Sequence, residues 1–493
     1  MICKNIRSAV KFLKQQNKLL VVKKEVDPVY EISGIQKSLE GGPALLFEKI
    51  KGYPGVRNIG NIFASEKQTA ALFGVEQFRQ LKFRCLNATN KPLPPKIIKQ
   101  APCQEMVITS DIDVMATLPI IKHAEDDAAK ILGGGILLVT AVPGGKGNDM
   151  SFKRIHFKGK DWGSVYIGPN THLDYILNVE NKGEKIPLTI NIGAPPAVTL
   201  IAAARPARKV APHGMNELGV AGALQDTPVE ICQAATVETY AIAESEWVIE
   251  GYIMPEPCWE TDAAEKAGID GATFLFPEWH GYQGTAVTGN RLQVTAITHR
   301  KDRPIFYTPL AASYEAENIT HPFAEASLFQ LTHSMAPDLV LDVNAPHAFK
   351  QAGGLVIQVK KKASDDDNIV ADVILTALKA SRRSLVIAVD EDVDIYSAAD
   401  ILWAIMTRGI ARSQITRITP GGINEVDKTN IPSRSGGIVA IDATLPFADK
   451  KRFKRAHYPV DLIQLNKWFS EPELIAARSL QDDYARVISR MGI

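Results

Sequence analysis

Three segments of the chain carry residue types suited to acid–base or anion-binding chemistry. The first, DMSFKRIHFKGKDWGSVYIGPNTH, spans residues 149–172 and begins with a strand pattern. In a strand, Phe152, Arg154 and His156 would share one face, because successive side chains alternate. An arginine beside a phenylalanine either covers apolar surface with its stem or binds an anion. The segment therefore gives Arg154 as a candidate anion-binding residue, with the covering role as the alternative.

The other two segments each present one glutamate. RKVAPHGMNELGVAGAL, residues 208–224, places Glu217 at the start of a small-residue helix, where compensation of the helix dipole is the ordinary role. FLFPEWHGYQG, residues 274–284, surrounds Glu278 with aromatic side chains. A carboxylate in such surroundings is expected to have a raised pKa and to deliver a proton near neutrality. The alternative for Glu278 is an exposed position beside a loop.

Other patterns in the sequence indicate no chemistry. The glycine-rich stretch 144–147 lacks the Lys-Ser/Thr ending of a phosphate loop, so we expect a surface turn. No dinucleotide-binding glycine motif follows a strand and opens a helix, and neither a zinc-protease motif nor a nucleophile elbow is present. The acidic run 390–394 lacks the spacing of a calcium loop. The five cysteines are odd in number and form no Cys-x-x-Cys pair, which argues against a disulfide framework or a zinc ribbon.

Chain length, charge and hydropathy limit the classes of protein to which this sequence can belong. At 493 residues the chain should form two or three domains. Its 56 basic and 55 acidic side chains leave a formal charge of +1, so no nucleic-acid partner and no polybasic membrane contact is expected. The sequence lacks an apolar run of about 18 residues and a signal-peptide pattern. These features predict a cytoplasmic protein without membrane contact.

Secondary-structure patterns divide the chain into three regions and predict an α+β fold. Residues 1–105 alternate short helices and strands. They begin with an amphipathic helix that has Ile2, Ile6, Val10 and Leu13 on one side, and a further helix is expected at about 66–73. Residues 106–325 are rich in strands, one of them over 151–157, as in a barrel-like β domain with insertions. Within the latter, the turn KDRP at 301–304 predicts a hairpin between RLQVTAITH and IFYTPL. Residues 326–493 return to an α/β pattern that a helix from 472 to 491 closes.

Together these segments resemble the UbiD family of prenylated-flavin decarboxylases. The resemblance runs nearly end to end, from LVVKKEVDPVYEISG to VDEDVDI and AADILWAIMTR. The phrases NELGVAGAL, EGYIMPE and VTAITHRKD are most similar to the branch that acts on hydroxybenzoates of the gallate and protocatechuate type. The ordered set of Arg154, His172, Glu217 and Glu278 is more specific than any one of its members.

The resemblance implies a cofactor and its ligands. It implies prenylated FMN in a split-barrel middle domain, with Mn²⁺ or another divalent cation and K⁺ or Na⁺ nearby. The implied metal ligands are Asp149, His172 and Glu217. Asp149 stands in the position of the family's asparagine and still offers an oxygen ligand. Asn148 is the alternative ligand if the alignment slips by one residue. The implied cofactor-binding residues are Ser151, Phe152, Lys153, Arg154, Thr171, His172 and Glu217.

The resemblance also implies a reaction. It gives Arg154 as the catalytic arginine, which orients the carboxylate, and Glu278 as the proton donor in a reversible, non-oxidative decarboxylation of an aromatic acid. The family usually has a second glutamate five residues before the donor, but this chain has Thr273 there. Asp270 and Glu265 are the candidates for the missing carboxylate.

The resemblance also implies partners, and it leaves alternative functions open. The partners are a small aromatic acid, a flavin prenyltransferase that supplies the cofactor, and further copies of the chain in a dimer or hexamer, assembled through the C-terminal α/β domain. One alternative is a decarboxylase of a furan or pyrrole carboxylate. The others are a flavin-reductase-like protein and, because of Thr273, an inert subunit of a multi-subunit carboxylase.

Overall fold

The structure is a computed structural model in which two compact units can be described. It describes residues 3–140, 149–169, 171–181, 183–204, 206–207, 209–212, 214–349, 354–381, 385–409, 415–418, 438–456 and 459–480. The described residues up to Ser327 form one unit, and those from Leu328 onward form the other. The predicted turn at 144–147, the alternative ligand Asn148 and the end of the predicted last helix lie outside the described residues. The boundaries between the three predicted domains stay a prediction.

The helices of the first unit are short, and several begin at a side-chain cap. The predicted N-terminal amphipathic helix is confirmed: Ile6, Ala9 and Leu13 are buried, and the Asn5 side chain accepts a hydrogen bond from the Ser8 N–H. The helices are α1 (Ile6–Gln15), α2 (Glu31–Ser38), α3 (Glu66–Leu72), α4 (Leu81–Asn90), α5 (Val114–Thr117), α6 (His172–Tyr175), α7 (Pro196–Ala202), α8 (Glu217–Leu224) and α9 (Asp262–Ala267). Thus α3 and α8 lie where the sequence predicts helices.

The strands of the first unit form one large and several small sheets. They are β1 (Leu19–Val22), β2 (Ala44–Phe47), β3 (Arg57–Gly60), β4 (Lys96–Ile97), β5 (Met106–Ile108), β6 (Ile136–Val139), β7 (Asp149–Phe152), β8 (Ile155–Phe157), β9 (Trp162–Val165), β10 (Ile186–Ile192), β11 (Glu230–Gln233), β12 (Tyr240–Ile242), β13 (Trp247–Trp259), β14 (Phe274–Pro277), β15 (Gln283–Thr285), β16 (Thr288–His299) and β17 (Ile305–Tyr307). The large sheet has the order β7-β6-β10-β13-β16-β9-β8, and β5 also pairs with β16. This sheet forms the strand-rich middle that the sequence predicts, and it carries the candidate site.

The predicted hairpin at KDRP is wrong. β17 does not pair with β16; it pairs with β3, in parallel, with Ile305 opposite Arg57. The reason is that β16 has no free edge, because β13 lies on one side and β9 and β5 lie on the other. The chain after residue 304 therefore adds to the small sheet β1-β2-β3-β17 instead.

The second unit has the predicted α/β pattern. The long helix α10 (Tyr314–Met335) leads into it, and its strands are β18 (Val340–Asn344), β19 (Gly354–Val359), β20 (Leu385–Asp390), β21 (Ile415–Ile418) and β22 (Ile438–Ala443). The sheet order is β18-β19-β20-β22-β21, with the three central strands parallel. The remaining helices are α11 (Asp366–Ser381), α12 (Ala398–Ala404) and α13 (Glu471–Leu480). Within the described ranges, none of the helices is both long enough and apolar enough to cross a membrane.

Candidate active site

Arg154 lies in a break between two strands. The sequence predicts one strand over 151–157, and this prediction is wrong: β7 ends at Phe152 and β8 begins at Ile155. Ile155 exchanges two backbone hydrogen bonds with Leu132, at 2.9 and 3.2 Å, which fixes the chain immediately after the break. Because Arg154 is outside the regular alternation of the strand, its side chain can turn inward, and only 8% of the residue is exposed.

The Arg154 guanidinium is held between two buried glutamates. Its Nε and Nη2 donate to the two carboxylate oxygens of Glu260, both at 2.7 Å. Its Nη1 donates to Oε1 of Glu278 at 2.8 Å. A fourth bond runs from Nη2 to the carbonyl oxygen of Thr285 at 3.2 Å, and the Tyr166 ring lies 4.9 Å from the guanidinium carbon. Two-point contact with Glu260 fixes the plane of the guanidinium as well as its position.

Glu260 is a partner of Arg154 that the sequence interpretation missed. It follows β13 directly, and the N–H of Val287 donates to its carboxylate at 2.9 Å. Neither candidate for the missing carboxylate reaches Arg154 in this way. Asp270 accepts hydrogen bonds from the N–H and hydroxyl of Thr288, and Glu265 pairs with Lys158 at 3.3 Å. The available signal was a glutamate directly after the long strand β13, which itself contains Glu250 and Glu256, so Glu260 is easily taken for an ordinary strand-end residue.

Thr273 has a role beside this glutamate. Its hydroxyl lies 3.0 Å from the hydroxyl of Thr261, the residue that follows Glu260 and caps helix α9. The position at which the family usually places a carboxylate therefore contacts the segment that supplies the carboxylate here. The missing glutamate five residues before Glu278 does not leave Arg154 with a single carboxylate partner.

Burial gives the cluster a proton affinity suited to acid–base chemistry. Burial raises the pKa of Glu260 to about 7, although its ion pair with Arg154 acts in the opposite direction. The Glu260 carboxylate shares this site with the Arg154 guanidinium and the Glu278 side chain. A proton that leaves near neutrality is what a general acid requires.

A short hairpin presents Glu278 to Arg154. We call β14, β15 and the turn between them the Glu278 hairpin. Glu278 begins the turn, and its N–H donates to the Tyr282 carbonyl oxygen at 2.9 Å. Gly284 lies directly beneath the glutamate side chain, since a Cβ atom at 284 would stand 2.4 Å from Cγ of Glu278. A glycine is therefore required at 284 for this approach.

The three predicted metal ligands lie close together. Asp149 on β7 is buried, and its Oδ1 lies 3.8 Å from Nδ1 of His172. Glu217, at the start of α8, accepts a hydrogen bond from the Met150 N–H at 2.6 Å, which places its carboxylate beside the Asp149 backbone. Burial and the charge of Asp149 raise the pKa of Glu217 well above its ordinary value. Two crowded carboxylates and an imidazole are a donor set that a hard cation would stabilise.

Their present arrangement is not a formed metal site. Among the described residues, no three His, Cys, Asp or Glu side chains are placed so that they could hold a metal ion. The donor types fit the predicted cation, while its binding by these residues stays a prediction. The Ser151 hydroxyl donates to Asp149 at 2.9 Å, and the Thr171 hydroxyl caps α6 by accepting from the Asp174 N–H at 3.2 Å.

The other predicted cofactor-binding residues lie around this acidic group. The positive charge of Lys153 acts to lower the pKa of Glu217, so the two side chains are close enough to interact. Phe152 is half-buried against the core of the first unit. Roles for these residues in flavin binding stay predictions.

Fold, site and sequence together define the class of the protein: the chain belongs to the UbiD family of carboxy-lyases. Profiles of the 3-octaprenyl-4-hydroxybenzoate carboxy-lyase match over its N-terminal domain (residues 10–84), its Rift-related domain (residues 96–313) and its C-terminal domain (residues 317–443). A gallate decarboxylase of Lactiplantibacillus plantarum is 30% identical over 462 residues, covering 88% of this chain and 92% of the relative.

Solved structures agree with this membership. The 3,4-dihydroxybenzoic acid decarboxylase of Klebsiella pneumoniae is 30% identical, with a TM-score of 0.83 over 95% of this chain and 100% of that chain. The UbiD-class enzyme HmfF from Pelotomaculum thermopropionicum, solved in complex with prFMN in an evolved dimeric form, is 28% identical, with a TM-score of 0.80 over 94% of this chain and 100% of that chain. The mixed helix-and-sheet fold predicted from the sequence is thereby confirmed.

Proposed function

We propose that the protein decarboxylates an aromatic acid of the hydroxybenzoate type, reversibly and without net oxidation, with prenylated FMN as cofactor. The buried Glu260–Arg154–Glu278 cluster is the observation that carries this proposal. Loss of carbon dioxide from an aromatic ring leaves negative charge on a ring carbon, and the flavin, when bound, would supply the electron sink that side chains lack. The names of a gallate decarboxylase and a 3,4-dihydroxybenzoic acid decarboxylase support the substrate class.

The donors of Arg154 suggest how the substrate carboxylate is oriented. Arginine has five N–H groups. Within the described part of the chain, acceptors occupy Nε–H, both N–H groups of Nη2 and one of Nη1. The substrate carboxylate therefore binds at the remaining N–H of Nη1, beside Glu278. Protonation of Glu278 weakens its bond to Nη1, so the acid form both frees the arginine for the substrate and holds the proton that the ring carbon needs.

The structure weakens one of the alternative functions. The inert-subunit hypothesis was motivated by Thr273, on the ground that the carboxylate–arginine–carboxylate network was incomplete. Glu260 supplies the second carboxylate contact, so that motive is removed. A furan or pyrrole carboxylate as substrate stays open to a direct assay.

The decisive experiment identifies the bound cofactor. The protein is produced together with a flavin prenyltransferase, the bound ligand is released without oxygen, and its mass is measured. We expect prenylated FMN, followed by carbon dioxide release from one or more acids in a panel of hydroxybenzoates, furoates and pyrrole carboxylates. Ordinary FMN with hydride transfer to or from a nicotinamide would instead support a flavin-reductase-like protein.

We also propose that Asp149, His172 and Glu217 hold Mn²⁺ or another divalent cation against the flavin phosphate, with K⁺ or Na⁺ nearby. A cation would offset the effects of burial and of the Asp149 charge, which together raise the pKa of Glu217. We expect Glu217→Gln to lose at least tenfold in bound manganese, measured by elemental analysis of the purified protein, and to retain less flavin. The matched control is Glu184→Gln, which changes an exposed glutamate. Equal metal content in both variants would contradict the assignment.

A homo-oligomer is the third part of the proposal. Helix α13 and the segment before it leave large apolar side chains exposed, while α13 buries only Leu474 among its described residues. Their exposed fractions are Leu462 79%, Trp468 63%, Phe469 50%, Ile475 59% and Leu480 86%. Apolar surface of this extent marks an interaction site. The evolved dimeric form of HmfF, a solved relative, supports a second copy of the chain as the partner.

This assembly is open to a mass measurement. We expect the wild-type protein to elute as a dimer or larger, and the double variant Leu462→Asp/Trp468→Asp to shift to the monomer mass in light scattering. Leu20→Asp, at an exposed leucine on β1, serves as the control and should keep the wild-type mass. A wild-type monomer, or an unchanged mass in the double variant, would contradict the proposal.

A further inference from the structure

The Glu278 hairpin is too small to hold its own shape. Its two strands form a separate sheet with only two register pairs, Phe274 with Thr285 and Pro277 with Gln283, and the pairing is irregular between them. An isolated two-stranded hairpin is marginal in water. Contacts with the rest of the first unit must therefore fix where Glu278 stands.

One buried carboxylate organises the segment that runs along this hairpin. Asp127 is only 3% exposed, and its Oδ2 accepts the N–H groups of His123 and Ala124 at 2.7 and 3.0 Å. The next residue, Ala128, donates its N–H to the Leu275 carbonyl oxygen on β14 at 3.0 Å. The same carboxylate reaches the other strand, because Nε2 of Gln283 donates to its Oδ1 at 3.4 Å. Asp127 thus contacts β15 through its side chain, and the next residue, Ala128, contacts β14 through its backbone.

The contact between Asp127 and Gln283 can affect the position of Glu278, because Gln283 lies close to it in the hairpin. Gln283 pairs with Pro277, the residue before Glu278, and precedes Gly284, whose backbone lies directly beneath the glutamate side chain. A shift of Gln283 would carry Gly284 with it and change the distance between Glu278 and Arg154, which is 2.8 Å. We propose that Asp127 is a positioning residue for Glu278 and acts through Gln283. This inference rests on the proposed function.

The direction of the Gln283 amide makes the inference testable. An ionised Asp127 can only accept hydrogen bonds, so the Gln283 NH₂ group must face it. The Gln283 Oε1 is then buried, and it has no hydrogen-bond partner among the described residues. If Asp127 becomes Asn, the glutamine amide can turn over and accept from the new NH₂ group. If Gln283 becomes Glu, two carboxylates face each other in a buried place and repel.

The test is a double-mutant cycle on the flavin-loaded enzyme. We expect Gln283→Glu to lower kcat by ~10²-fold with little change in KM, since an error of about 1 Å in position costs that much. We expect Asp127→Asn to stay within a few-fold of wild type. The double variant Asp127→Asn/Gln283→Glu restores one donor facing one acceptor, so its kcat should return towards wild type. The basic limb of the kcat–pH profile should shift in Gln283→Glu and return in the double variant.

The outcomes separate this inference from the proposed function. If wild-type protein turns over no acid in the panel, the proposed function fails first. If it is active and Gln283→Glu keeps the wild-type kcat, only the positioning role fails. A double variant as slow as Gln283→Glu would also overturn it, including the case where the single variant folds poorly, because the rescue depends on the donor–acceptor match.

Discussion

Replacing Glu278 with Gln is expected to lower kcat by ~10³-fold while the protein remains folded and keeps its flavin. General acids contribute about 10² to 10⁴ in rate, and Gln cannot deliver a proton. The substitution is close to isosteric, and its amide oxygen can still accept from Nη1 of Arg154, which Glu278 now contacts at 2.8 Å. The measurement is carbon dioxide release at saturating substrate, together with the flavin absorbance of the purified variant.

A matched control makes that loss interpretable. Glu265→Gln changes a carboxylate that is close in sequence to Glu260. The Glu265 side chain is 58% exposed, and it pairs with Lys158 and not with Arg154. We expect it to keep at least half of the wild-type kcat, because exposed ion pairs contribute little. Wild-type kcat in Glu278→Gln would remove this residue from the proton-donor role and leave Glu260 as the remaining carboxylate on the arginine.

The residues of the candidate site differ in how much of their position the local sequence reveals. Arg154, Glu217 and Glu278 stand in short distinctive phrases, which made them candidates beside ordinary structural roles, and the resemblance to a family then selected them. Glu260 was not selected in this way. It contacts Arg154 from the end of a different strand, 106 residues further along the chain. Its partner is set by the pairing of β13 in the large sheet, which is a long-range property that local periodicity does not contain.

The same distinction applies to the fold. Helices α1, α3 and α8 were predicted because capping residues and apolar spacing are local signals. The hairpin at KDRP failed because the destination of β17 depends on which strand edges are already occupied. The single strand predicted over 151–157 failed for a related reason, since the bridge between Ile155 and Leu132 redirects the chain at Arg154.

Glu260→Gln is the second substitution for which we expect a large effect, and its signature is in pH dependence. Burial raises the pKa of Glu260 from an ordinary 4.5 to about 7, so the folded state binds a proton that the unfolded state has released between these values. The unfolding free energy of the wild type should therefore fall as pH rises through this window, by at most about 3 kcal/mol. Without this ionisable group, the variant should lose that part of the slope.

A second buried carboxylate has to be separated from this effect. Burial also raises the pKa of Glu315 to about 7, and it contributes a slope of the same sign to both proteins. The difference in thermal stability between wild type and Glu260→Gln, measured from pH 5 to pH 8, therefore isolates Glu260. Since the two-point contact with Arg154 also weakens, we expect kcat to fall by ~10²-fold and its basic limb near pH 7 to move. A limb unchanged in the variant would mean that the basic limb does not report the ionisation of Glu260.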